Sequence, residues 1–159
     1  MQKTLRVLSF LLLTSSTLIA DAYSAPEAAQ PDWQNTLHPY IGKYPSENIP
    51  NGVEFRKNLL IAKAIRLALT AQYYQNFTKM QVETPIEVIG ANIATSVCVP
   101  HDCGANKLFL LIDRQTGHVR GCLIGGVGKR ATAKQDLKFE TGARPMLVDA
   151  GTCNQTTPD

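Results

Sequence analysis

Ile93-Ala94-Thr95-Ser96-Val97-Cys98, then Val99-Pro100-His101-Asp102-Cys103-Gly104, then Lys107-Leu108-Phe109-Leu110-Leu111-Ile112-Asp113, is the stretch that sets the architecture. Its outer parts are short and rich in β-branched and large apolar residues, the composition of strands. Its middle holds proline, glycine and polar residues, which interrupt regular structure. Two strands joined by an unusual cysteine-bracketed loop are therefore expected, the first over 93–97 and ending at Cys98, the second over 107–113.

Outward from this unit the strand pattern continues. Arg114-Gln115-Thr116-Gly117 reads as a hairpin turn and 118–124 as the next strand. Upstream, Gly90-Ala91-Asn92 is turn-like, and Val82, Pro85-Ile86, Val88 and Ile89 read as a preceding strand. Short segments joined by glycine and asparagine turns predict an antiparallel meander. Met146-Leu147-Val148 is a candidate last strand, and residues 131–142 carry no decisive pattern. Gly125-Gly126-Val127-Gly128 lacks the lysine and hydroxyl placement of a phosphate-binding loop, so it reads as a flexible connection.

Residues 53–78 are the strongest helix candidate. Phe55, Leu59, Ala62, Ile65, Leu69 and Tyr73 recur at steps of three and four, the spacing of one helix face. Arg56, Lys57, Lys63 and Arg66 interrupt the apolar character, so core packing and not a membrane helix is the reading of that face. The expected class is α+β, an antiparallel sheet of four to five strands flanked by at least one helix.

The chain starts differently. Lys3 and Arg6 precede an apolar run over 7–20, and Ala20-Asp21-Ala22 follows with small residues at the outer positions. This is the layout of a cleaved secretory signal peptide over 1–22, with Ala22-Tyr23-Ser24 as a second cleavage pattern. The run is shorter than the roughly 20 residues that span a bilayer, so no membrane span is expected. Residues 23–52 hold Pro26, Pro31, Pro39, Pro45 and Pro50 and read as an irregular arm, with Trp33, Tyr40 and Ile41 as packing points. Residues 53–159 are the expected domain. Removing 1–22 changes 16 basic against 13 acidic residues to 14 against 12. A net charge near +2 is too mild to argue for nucleic acid or an anionic membrane surface.

All four cysteines, Cys98, Cys103, Cys122 and Cys153, follow the expected cleavage point. In an exported chain an even count reads as disulfides, but four cysteines allow three pairings and sequence does not choose. A Cys98–Cys103 bond would close a six-residue ring with His101 and Asp102 at its tip. Such a ring, further restrained by Pro100 and followed by Gly104, would lose less entropy on binding. An imidazole placed between two carboxylates is drawn toward its charged form. Glycoside-cleaving enzymes present such a pair in an open cleft, so a rigid loop tipped by histidine is a chemically sensible plug.

Cys98-Val99-Pro100-His101-Asp102-Cys103, followed by Gly104 and a strand, resembles the Cys-Lys-Pro-His-Asp-Cys loop of the inhibitor of vertebrate lysozyme family. The resemblance is specific over residues 80–125. It implies a small periplasmic bacterial protein, an antiparallel sheet flanked by helices, and inhibition of C-type lysozyme by insertion of the disulfide-closed loop. It carries the key histidine to His101, the adjacent acid to Asp102, the proline to Pro100 and the ring cysteines to Cys98 and Cys103, with Val99 and Gly104 completing the binding loop. Cys122 and Cys153 are then left to form a second disulfide. Val99 stands where a lysine is usual, the C-terminal part is short beside the family, and the mild positive charge gives no steering toward a basic lysozyme.

Other readings are weaker. The cell's own lytic transglycosylases also cut peptidoglycan in acidic clefts and are an alternative target, and a non-inhibitory envelope binding protein is another; self-association as a homodimer is left open. An enzyme using His101 and Asp102 as an acid–base pair is disfavoured, because neighbours on a short ring seldom face each other and no nucleophile motif accompanies them. A metal site at Cys98, His101 and Cys103 lacks a second ligand pair with zinc spacing. Redox chemistry ordinarily uses a C-x-x-C pair at a helix start. No cofactor is expected. His38 and His118 read as ordinary surface residues, and Asp113 and Asp149 as solvated charges.

Overall fold

The computed structural model describes residues 30–50, 52–125 and 135–153. The expected signal peptide over 1–22, the start of the arm and Gly126, Val127 and Gly128 lie outside the described residues. Among the described residues there are three α-helices, α1 (Trp33–Leu37), α2 (Leu59–Ala68) and α3 (Ala71–Lys79). Seven strands follow: β1 (Val82–Glu83), β2 (Glu87–Ile89), β3 (Asn92–Cys98), β4 (Lys107–Asp113), β5 (Val119–Ile124), β6 (Gln135–Glu140) and β7 (Met146–Asp149). They form one antiparallel sheet in the order β1-β3-β4-β5-β6-β7, with β2 also on the free side of β3. The class is α+β as expected, with a sheet wider than the four to five strands anticipated.

The helices and the sheet share one core. Ile61, Ile65, Leu69 and Phe77 from the helical layer cluster with Ile93, Val97, Leu108, Leu110, Ile112 and Leu123 from alternate strand positions. The opposite sheet face carries a smaller cluster of Ala94, Phe109 and Leu111. Strands β3 and β4 are thus buried on both faces, which is why their sequences read as nearly continuous apolar runs and not as an alternation.

The single helix expected over 53–78 is instead a 3₁₀ turn at Phe55–Lys57 followed by α2 and α3. Asn58 is extended, and its carboxamide oxygen accepts from the N–H groups of Leu60 and Ile61, so it caps a new helix. Leu69 and Thr70 are again extended (ψ 143° and 160°) and end it. Each break resets the helical phase. Phe55, Ala62, Ile65 and Leu69 are buried as the periodicity requires, but Tyr74 and Phe77 replace Tyr73 as core residues, and Leu59 is 88% exposed.

The strand expected from Val82 to Ile89 is likewise divided. Pro85 has no amide hydrogen to give to a ladder. Around it the chain turns to another partner: Ile86 donates to the carbonyl of Lys43 and accepts from Gly42. The indecisive segment after 131 contains β6, where Leu137 and Phe139 point into the core. The buried Asp136 on the other side obscured the alternation; its carboxylate accepts from the N–H groups of Gly151 and Cys153.

Part of the stretch expected to be irregular is ordered. Asp32 caps α1 by accepting from Asn35, and Trp33, Leu37 and Tyr40 are buried in the main core, with Ile41 packed against it. Arg56 ties this region to the sheet. Its guanidinium donates to the carbonyls of Thr78 and Met80 and to the Glu83 carboxylate, and stacks 5.3 Å from the Phe77 ring centroid. Glu83 also accepts from the backbone and hydroxyl of Ser46.

The turn after β4 shows why two of its residues are what they are. The Asp113 carboxylate accepts from the N–H groups of Thr116 and Gln115 and from the Thr116 hydroxyl. Those backbone donors, Thr116 first, hold the Asp113 carboxyl below the usual carboxylate range. Gly117 sits at φ 69°, and a Cβ there would stand 1.9 Å from the Trp33 indole. Gly117→Ala should therefore destabilise the protein by about 3 kcal/mol in denaturant melts, combining overpacking with an unfavourable φ. Because the folded pKa of Asp113 is depressed, its stabilising effect is present above the unfolded value of about 3.9 and is lost as pH falls through the lower folded value. Asp113→Ala should be less stable than wild type near pH 7, and the gap should close toward pH 2; a gap independent of pH would contradict this.

Candidate functional site

Strands β3 and β4 pair in unbroken register from Asn92↔Asp113 to Cys98↔Lys107. The ladder extends one step further, because Val99 donates its N–H to the Asn106 carbonyl at 3.1 Å. The loop is thus the mouth of a hairpin whose two arms are immobilised in the middle of the sheet. Cys98 and Cys103 are disulfide-bonded with their Cα atoms 5.0 Å apart.

Within the loop, Asp102 donates its N–H to the Val99 carbonyl at 3.0 Å. This closes a turn with Pro100 and His101 at its centre. Proline suits the first central position, and the second requires a positive φ when the turn is of the second type. His101 has φ 63°, and it alone among the described non-glycine residues has a positive φ. Left-handed backbone is uncommon outside glycine, although histidine tolerates it better than most. His101 is exposed, with Val99 40% exposed beside it, while Pro100 and Asp102 are half-buried and Gly104 is exposed. Glycine would relieve the backbone at position 101; the chain places an imidazole there instead.

His101 and Asp102, expected together at the tip, part company. His101 points its side chain to solvent without a hydrogen-bond or ion-pair partner among the described residues. The Asp102 side chain turns toward the base of the loop and accepts from the Asn106 carboxamide. Its carbonyl accepts from the N–H groups of Ala105, at 3.1 Å, and Asn106, at 2.8 Å. Asn106 and its contacts were not legible in the sequence; the one signal available was an asparagine just before a strand, a common turn residue.

Cys122 on β5 is disulfide-bonded to Cys153, with Cα atoms 5.6 Å apart, and so fastens the end of the described chain to the sheet. His118, read as a surface residue, is half-buried with Nε2 3.3 Å from the exposed Glu140 carboxylate. An open hollow of about 480 Å³ lies over Phe109, Leu111, Arg120, Lys138 and Met146, and no residue of the cysteine loop lines it. Among the described residues no cluster of histidine, cysteine and acidic side chains is arranged to hold a metal, and no helix is long and apolar enough to cross a membrane.

Fold and loop together define a small α+β protein that presents one preshaped, disulfide-closed hairpin tip. The chain belongs to the inhibitor of vertebrate lysozyme (Ivy) family, whose model matches residues 61–146, more than half of its length. That match runs from α2 through the loop to the start of β7. It is a family of inhibitors and not of enzymes. No curated protein and no solved structure matches the chain.

The two disulfides close rings of very different size, with sequence separations of 5 and 31. By the chain-entropy argument, replacing Cys98 and Cys103 by serine should cost about 2 kcal/mol, and replacing Cys122 and Cys153 about 3–4 kcal/mol. Equilibrium unfolding of the two double variants tests that order.

Proposed function

We propose that this protein is a periplasmic inhibitor of C-type lysozyme that inserts the Cys98–Cys103 loop into the enzyme's active-site cleft, with His101 as the group that meets the catalytic carboxylates. The observation that carries the reading is the exposed His101 side chain, held on a strained backbone at the tip of a loop fixed by a disulfide and two turns. A tip already in its binding shape avoids the ordering cost that a free loop would incur. Two carboxylates flanking an imidazole favour its charged form and accept from both ring nitrogens.

Val99 shapes the contact differently from a lysine. It offers an apolar, 40% exposed surface beside His101 and no charge to a carboxylate. The interaction therefore rests more on the imidazole and on steric fit. Family membership and the signal-peptide layout support the periplasm as the place of action.

The test is a cell-wall lysis assay in which the protein from Tyr23 onward is titrated against a C-type lysozyme. His101→Ala and His101→Gly should each weaken inhibition by roughly 30-fold or more, the scale of an interface hot spot. Glycine relaxes the backbone at position 101, so loss of inhibition in that variant isolates the imidazole from the loop's shape. No inhibition by the oxidised wild type would overturn the lysozyme reading and turn the search to lytic transglycosylases.

A further inference from the structure

The geometry points to Asn106, a residue outside the disulfide ring, as the positioning residue that sets the binding shape of the loop through Asp102. This rests on the reading of the loop as the inhibitory element. The disulfide fixes the distance between Cys98 and Cys103, but it does not by itself fix the path of the four residues between them. That path is set by the turn bond from Asp102 to Val99, and Asn106 hydrogen-bonds to both of those residues.

Three separate groups of Asn106 take part. Its carboxamide donates to the Asp102 carboxylate. Its N–H donates to the Asp102 carbonyl at 2.8 Å, and its carbonyl accepts from Val99 at 3.1 Å. Asp102 is in turn the closing residue of the turn that holds His101 in the left-handed region. The chain of contacts therefore runs from the first step of the β4 ladder to the tip of the loop.

The floor under this clasp is also specified. Gly125, just beyond β5, has φ +78°, and a Cβ there would lie 1.3 Å from the Ala105 carbonyl oxygen and 3.3 Å from the Asn106 side-chain oxygen. Only glycine lets the backbone at 105–106 lie this close to the end of β5. Asp102, whose half-buried carboxylate accepts from Asn106, acts through this clasp and orients His101 without itself forming the tip.

Asn106→Asp gives a readout that a merely structural role would not move. It replaces an amide donor by a second carboxylate beside Asp102. Near pH 7.5 both are ionised and repel, so the clasp opens. As pH falls, like charge raises one of the two carboxyl pKa values, and a single proton then bridges the pair in place of the lost N–H donor. Relative to wild type at the same pH, Asn106→Asp should inhibit lysozyme about tenfold less well near pH 7.5 and should recover to within about threefold near pH 5. Asn106→Ala, which has no proton to share, should stay weakened at both pH values. Taking the ratio to wild type cancels any pH dependence that both proteins share.

Backbone NMR order parameters of the Asp102 and Cys103 amides supply the same test without lysozyme. They should fall below about 0.6 in Asn106→Asp near pH 7.5 and return toward about 0.85 near pH 5. Wild-type order and inhibition in both variants at both pH values would overturn the assignment. If wild type inhibits no lysozyme while the order parameters behave as stated, the positioning role stands and the proposed target falls.

Discussion

Register between β3 and β4 is the constraint on which the rest of the molecule depends. A side-chain period of two means that a slip of one residue would exchange the two faces of a strand. Here the faces are unequal. Ile93, Val97, Leu108, Leu110 and Ile112 fit the large core beneath the helices, whereas Ala94, Phe109 and Leu111 fit the smaller cluster opposite. A slip would drive Thr95 and Ser96, which are hydrogen-bonded to Thr84, out of their places. With the register held, Cys98 stands opposite Lys107, and both ends of the eight-residue segment between them are fixed.

Rigidity at the tip is therefore borrowed from the centre of the sheet. An edge hairpin would twist and fray, but β3 is flanked by β1 and β2 on one side and β4 by β5 on the other. The loop adds its own restraints in series: the Val99–Asn106 ladder step, the disulfide, the Pro100–His101 turn and the Asp102–Asn106 contacts. The positive φ of His101 persists because the surrounding bonds over-determine it. The cationic side chains that line the hollow on the outer sheet face, by contrast, sit on an exposed surface and take no part in these restraints.

The amino-terminal half serves the same end indirectly. Trp33 packs over Gly117, and the half-buried Arg56–Glu83 pair joins the segment around residue 56 to the start of the sheet. Such a charge pair is not by itself a strong source of stability, since desolvation offsets much of the attraction. Its use here is directional, because the guanidinium also satisfies the carbonyls that end α3. The helical layer is thereby fixed against the face of the hairpin that carries the loop.

Much of this was legible in the sequence where chemistry is local. Cysteine spacing, Pro100 and the apolar runs at 93–97 and 107–113 marked the loop and its strands, and the resemblance named a family that the comparison bears out. Helix and strand type followed from periodicity, because side-chain spacing is fixed by backbone geometry. The break at Leu69 and Thr70 did not follow from periodicity, and the division of the strand beside Pro85 and the burial of Asp136 are settled by partners distant in the chain. The fate of Asp102 was hidden differently: adjacent to His101 in sequence, its carboxylate turns from the tip because Asn106, four residues on, lies across the loop to receive it. Sequence by itself determined which residues could form a rigid histidine-tipped loop; only the tertiary structure decided which of them face outward, because that depends on hydrogen bonds between backbone segments brought together by the sheet.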